Sequence, residues 1–238
     1  MTASKFRQII ASIMLLWTFT ATAQETEYKY EFGGGIGGTA YLGDADGKIT
    51  KNLQPMASFV MRRVLNPHMA IKANLLVGSV KGSTEKQDQF YPEGNLVSST
   101  TAATKFSRTV YDLGAQFEYN FWGYGTGEGF KGTRRLTPYI LGGLGFTMSP
   151  HKDANVFTLN FPIGIGAKYK LKERVNVGAE LTVRYTLSDK LDTTGKEGLQ
   201  LNDPYGIKSS TLKNKDGYSV VMFFVTYDFG PKYRKCNN

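Results

Sequence analysis

Between Tyr111 and Phe121 the chain alternates residue by residue. Tyr111, Leu113, Ala115, Phe117, Tyr119 and Phe121 share one parity, and Asp112, Gly114, Gln116, Glu118 and Asn120 share the other. Successive side chains of an extended strand point to opposite faces, so this segment has one apolar wall and one polar or small wall. A helical period would set Leu113, Gln116 and Phe117 side by side and mix the two classes. The same pattern recurs from Val175 to Leu187, where seven apolar residues alternate with Asn176, Gly178, Glu180, Thr182, Arg184 and Thr186, and again from Phe157 to Tyr169.

Applied along the chain, the period-two pattern predicts eight strands at 27–42, 53–64, 68–81, 106–121, 136–148, 156–170, 174–188 and 217–229. Two joins are tight, Leu65-Asn66-Pro67 and Leu171-Lys172-Glu173, whereas 82–105 and 189–216 are long and polar. An even number of strands with short turns at one end and long loops at the other describes an all-β, eight-stranded antiparallel transmembrane barrel with periplasmic turns and extracellular loops. The competing fold is a soluble lipocalin-like barrel or sandwich, with its apolar wall turned inward. Segments of 12 to 16 residues favour the membrane version, as do the aromatics Tyr28, Tyr30, Phe32, Phe121, Trp122, Tyr169, Tyr227 and Phe229 near strand ends. Pro138 and Pro162 interrupt this pattern and predict bulges, because proline removes a ladder donor.

A helical membrane protein is excluded, since beyond the N-terminus the longest unbroken apolar run is Val220 to Val225. The N-terminus itself reads as an export leader. Lys5 and Arg7 precede the apolar stretch Ile9 to Thr20, and Ala21-Thr22-Ala23 supplies the small-x-small cleavage pattern. Residues 1–23 are therefore expected to be a signal peptide cut before Gln24. Residues 24–238 would then form the barrel in a bacterial outer membrane, with 230–238 as a short periplasmic tail. Loss of Lys5 and Arg7 lowers the net charge of +9 to +7.

An eight-stranded barrel has an interior that side chains can fill, so an open porin is not expected. The parity opposite the apolar wall carries Lys29, Glu31, Lys72, Asp112, Glu118, Lys168, Glu180, Arg184 and Asp228. Buried charges are costly unless paired. The expectation is a self-neutralising polar plug, with Lys72, Asp112, Glu118, Lys168, Glu180 and Arg184 as its charge network. A proton or ion path through it is the alternative.

With both termini in the periplasm, the remaining positive charge sorts to that end. Arg62, Arg63, Lys131, Arg134, Arg135, Lys170, Lys172 and Arg174, with Lys232, Arg234 and Lys235 of the tail, face Glu25, Glu27, Glu128 and Glu173. Such a basic end can rest on the anionic head groups of outer-membrane lipid. It can also steer and hold an acidic periplasmic partner. Nucleic acid is a poor partner for an exported chain.

Other motifs carry little chemistry. Gly33, Gly35 and Gly38 match G-x-G-x-x-G, but a dinucleotide site needs a helix after the turn, and the run continues as strand. Asp44-Ala45-Asp46-Gly47 opens like a calcium loop without the later ligands. A single cysteine, Cys236, and two histidines, His68 and His151, preclude a disulfide framework or a Cys- or His-rich metal site. Ser149, His151 and Asp153 are too close in sequence to converge readily as a hydrolase triad. No cofactor, metal or catalytic residue is expected.

Two stretches resemble a known family. Glu27 to Asp44, EYKYEFGGGIGGTAYLGD, and Asn160 to Asp192, with Gly-Ile-Gly-Ala-Lys-Tyr at 164–169, Glu180, Arg184, Asp189 and Leu191-Asp192, are similar to small outer-membrane barrels of Bacteroidota. Within these the similarity is to the group that includes the PorG barrel subunit of the type IX secretion system. The resemblance implies a barrel without enzyme activity that ties a periplasmic ring, built of a PorK-like lipoprotein and a PorN-like partner, to the outer membrane. The loops 82–105 and 201–216 and the Cys236 tail lie outside it. A stand-alone barrel that stabilises the envelope or binds lipid or ligand through its loops is the second reading, and a lipid-modifying enzyme the third.

Overall fold

All eight alternating segments are strands in the computed structural model, which describes residues 28–42, 52–83, 105–128, 132–150, 155–188 and 216–231. They are β1 (Tyr28–Leu42), β2 (Gln54–Asn66), β3 (Met69–Ser83), β4 (Lys105–Asn120), β5 (Leu136–Ser149), β6 (Val156–Lys172), β7 (Val175–Thr186) and β8 (Gly217–Pro231). Each strand pairs antiparallel with the next, and β1 pairs with β8 from Tyr28↔Pro231 to Leu42↔Gly217. The sheet is thus a closed barrel without a free edge, so its backbone donors and acceptors are met within the wall.

The polarity is inverted relative to a soluble domain. On β4, Leu113 is 58% exposed and Phe117 45%, while their chain neighbours Asp112 and Glu118 are 1% and 0% exposed. The exposed apolar row continues around the barrel through Phe32, Ile36, Phe59, Ile71, Leu75, Ile140, Leu144, Ile163, Ile165, Phe223 and Val225. The soluble-barrel alternative, with this parity facing inward, is thereby excluded. The small apolar cluster that is buried, including Val60, Leu76, Val80, Val110 and Val220, belongs to the lumen-facing set near the loop end.

Two register shifts bend the wall, at Val64/Asn66 beside the β2–β3 turn and at Lys170/Lys172 beside the β6–β7 turn. The bulges expected at Pro138 and Pro162 are absent. Pro138 pairs with Ala167 in register, and its carbonyl accepts a hydrogen bond from the backbone N–H of Phe121 at 3.0 Å. At Pro162 the β5–β6 pairing lapses between Gly142↔Ile163 and Gly145↔Asn160 and resumes in the same register. The missing donor opens the ladder without inserting a residue.

The glycine run of β1 lies wholly within the strand. A Cβ on Gly37 would sit 1.9 Å from the carbonyl oxygen of Val221, and one on Gly33 2.0 Å from that of Val225. These glycines admit the close approach of β8 that seals the barrel, and the run continues as strand to Leu42 instead of turning into the helix that a dinucleotide cradle needs.

Tyr28, Pro231, the turns Pro67-His68 and Glu173-Arg174, and the described parts of the β4–β5 connection at 121–128 and 132–135 share one end of the barrel. The expected leader 1–23 and its cleavage site, Asp44–Gly47, Lys131, His151, Asp153, the loops 84–104 and 189–215, and the tail with Cys236 fall outside the described residues.

An ion-paired lumen and a basic rim as the candidate functional site

The inward parity of β2, which runs through Met56, Ser58 and Val60, places Arg62 at the centre of the lumen, fully buried. Its Nε donates to both carboxylate oxygens of Glu118 at 2.8 and 3.0 Å, and its Nη1 to Glu31 at 3.2 Å. Lys168 reaches the same Glu118 at 3.3 Å, and Lys72 stands 3.6 Å from it. Lys72 is held more closely by Glu180, at 2.6 and 2.7 Å, where the phenol of Tyr139 also donates at 2.7 Å. Phe224 closes one side, with the Arg62 guanidinium 4.5 Å above its ring.

Two further polar layers flank this centre. Toward the loop end, Asp112 accepts from Arg184 Nη1, from the Tyr218 hydroxyl at 2.7 Å and from Thr147 Oγ1 at 3.1 Å. Toward the termini, Lys170 and Asp228 pair at 2.5 Å, and Asn176 links Asp228 to the hydroxyl of Tyr124. Tyr124 comes from the β4–β5 connection, which folds over the mouth of the barrel. Its backbone N–H donates to the Pro67 carbonyl at 2.9 Å, and Lys168 and Lys170 lie 4.9 and 5.3 Å above its ring.

The structure gathers Lys72, Asp112, Glu118, Lys168, Glu180 and Arg184 inside the lumen, all paired. It also corrects three assignments. Arg62 is not on the basic end, because neighbours on a strand face opposite ways and only Arg63 points out. Lys170 is likewise withdrawn from that end. β6 extends to Lys172, so Lys170 keeps the inward parity and is 4% exposed. Lys29, expected inside, is exposed. Gly230 opposite it adopts φ +69°, and at this last rung Tyr28 turns into the mouth instead, donating to Glu173 at 2.8 Å. With these changes, and with Arg108 and Asp216 also buried, the buried charges among the described residues balance, six basic (Arg62, Lys72, Arg108, Lys168, Lys170, Arg184) against six acidic (Glu31, Asp112, Glu118, Glu180, Asp216, Asp228).

Arg63, Arg134, Arg135, Lys172 and Arg174 remain exposed around the mouth, and Lys131 lies outside the described residues. Arg134 stacks over Trp122 at 5.1 Å, and Arg135 Nε donates to the Thr126 carbonyl at 2.9 Å. Arg174 donates to the phenol oxygens of Tyr28 and Tyr227 at 3.3 and 3.4 Å, and these bonds, chiefly that to Tyr227, raise its pKa. The rim thus carries five exposed cations, of which Arg134 and Arg174 are held by aromatic side chains and Arg135 by a backbone carbonyl.

Two of the candidate chemical side chains are engaged by the fold. His68 Nδ1 meets the Asn120 carbonyl at 3.0 Å and its ring stacks on Tyr119, while Ser149 Oγ donates to the Thr109 carbonyl at 2.9 Å. Among the described residues no group of His, Cys, Asp and Glu is placed to hold a metal ion. Sequence reasoning missed Arg62, Lys170 and Tyr124 as lumen residues. The parity of β2 carried the signal for Arg62, and an aromatic between Gly123 and Gly125 carried a weaker one for Tyr124.

A closed eight-stranded barrel that is apolar outside and ion-paired inside has the fold of an outer-membrane β-barrel protein. The chain belongs to the family described as Domain of unknown function (DUF6089), which matches residues 7–238. No curated protein matches it in sequence. Among solved structures it is similar to Neisserial surface protein A (10% identity, TM-score 0.49, covering 84% of this chain and 97% of that one). It is similar too to Ail, the attachment invasion locus protein of Yersinia pestis (11%, 0.45, 86% and 100%). A third is the N-terminal barrel domain of Pseudomonas aeruginosa OprF (14%, 0.44, 85% and 98%).

Proposed function

We propose that this chain is a non-catalytic outer-membrane anchor whose working surface is its periplasmic rim. The observation that carries this reading is the filled lumen: paired charges occupy it through three layers, and Tyr124 covers the mouth. A barrel whose lumen is occupied by paired charges is suited to act through what it holds at its ends or walls. The rim presents Arg63, Arg134 and Arg135 on the β2–β5 side, a charge pattern suited to an acidic periplasmic protein. With the resemblance to the PorG group, this supports an anchor role in a type IX secretion system, with a PorK-like lipoprotein and its PorN-like partner as the ring that docks. Insertion by a cleaved leader ending at Ala23 is part of the same proposal.

The experiment is a mild-detergent pull-down of the tagged barrel from its native envelope, at low and high salt, with Arg63→Glu, Arg134→Glu and Arg135→Glu combined in one variant. A periplasmic ring protein that is captured by the wild type, released by salt and lost in the variant is the expected outcome. Capture that charge reversal leaves intact would sink the docking surface. Absence of any periplasmic partner while the barrel stays folded would favour the stand-alone barrel.

A further inference from the structure

The outer wall is not uniformly bulky. In the terminal half of β7 the outward residues Val175, Val177 and Ala179 are short and half-buried, whereas Phe223, Val225 and Tyr227 on β8 are 63%, 56% and 41% exposed. The register sets Ala167 of β6 beside Ala179, and Tyr169 beside Val177. The result is a low path on the outer face along Gly34, Ala167, Val177 and Ala179, between Tyr169 and Phe223, and these residues form the outer part of the lining of a cavity of about 760 Å³ that Ser58, Lys168 and Phe224 line from the lumen side.

Followed toward the termini, the path passes Val177 and Val175 and arrives at Arg174, with Lys172 paired opposite Val175. Tyr227 lies across β8 from Val175, and its hydroxyl accepts from Arg174 Nη1, so the guanidinium is oriented at the groove's end. Both cations are exposed. The carboxylate of Glu173 is engaged by Tyr28 at 2.8 Å.

An apolar groove that ends on two cations at the barrel rim matches one chemistry, an acyl chain attached to an anionic head group. We infer that the β6–β8 wall binds an anionic phospholipid of the inner leaflet, one chain lying in the trough along β7 and the phosphate at Arg174 and Lys172. This rests on the reading of the outer wall as lipid-facing. It also divides the rim, leaving Arg63, Arg134 and Arg135 for the protein partner.

The test first inserts the barrel into phosphatidylcholine vesicles, scored by its heat-modifiable gel mobility. It then measures by native mass spectrometry which lipid the detergent-purified barrel retains, with phosphatidylglycerol and phosphatidylcholine of equal chain length as probes. A basic residue near a membrane surface is worth about a fivefold preference for an anionic head group. The wild type is expected to retain one phosphatidylglycerol, preferred at least about fivefold. Lys172→Gln with Arg174→Gln should erase the preference without touching the wall. Ala179→Phe should reduce retention of both lipids, and Ala73→Phe on the opposite wall should change nothing. Equal retention of the two lipids by a barrel that has inserted would overturn the lipid site alone, whereas failure to insert would overturn the lipid-facing reading with it. A dimer dispersed by Ala179→Phe would assign the trough to a second copy and overturn the proposal.

Discussion

Replacing Glu118 by glutamine removes one charge from the most crowded point of the lumen while preserving shape. Glu118 is fully buried and faces Arg62 at 2.8 Å, Lys168 at 3.3 Å and Lys72 at 3.6 Å. The three cations do not depend on it equally. Arg62 keeps Glu31 at 3.2 Å and Lys72 keeps Glu180 at 2.6 Å, whereas Lys168 is left with the ring faces of Tyr124 and Tyr139. Breaking a buried pair by removing one member costs about 3 to 5 kcal/mol, chiefly through the charge left behind. Because two of the three cations retain carboxylates, the lower end, about 3 kcal/mol, is expected for Glu118→Gln. Lys168→Met should cost less, about 1 to 2 kcal/mol, since Glu118 keeps two cations. The double variant removes both charges and should be more stable than the sum of the singles by at least about 1 kcal/mol. Urea unfolding in lipid vesicles, read at constant m-value, measures all three. Costs that add within about 0.5 kcal/mol would refute the argument that Lys168 is the stranded charge.

Two other outcomes test the wall. Leu113→Arg places a cation on the apolar outer face of β4 and should cost about 2 to 4 kcal/mol in a bilayer, the effect falling off for substitutions nearer the rim; a neutral outcome by vesicle unfolding would contradict the lipid-facing assignment. Gly37→Ala pushes a methyl group against the Val221 carbonyl at the β1–β8 seam, so folding yield and thermal midpoint should both fall. Preservation of both would mean that the seam has room to give.

The sequence alone determined the number, type and near-final boundaries of the strands, and the long and short ends of the barrel. Period-two alternation is a local property of the chain, and a wall one residue thick leaves tertiary packing little to override. The same alternation named six members of the lumen network, because parity alone sends a residue inward. The reading failed near strand ends. Arg62 lay inside the expected strand 53–64 with inward parity but was grouped with its neighbour Arg63, Lys170 stood at the expected end of a strand that continues to Lys172, and Lys29 lies at the last rung, where Gly230 has φ +69°. Only the tertiary structure decided which charges pair, since Arg62, Glu118 and Lys168 come from three strands brought together by closure. It alone showed Tyr124 over the mouth and the low path along β7. Each depends on side chains from strands distant in sequence meeting across a lumen or around a curved wall, a distance relation that one-dimensional periodicity does not encode.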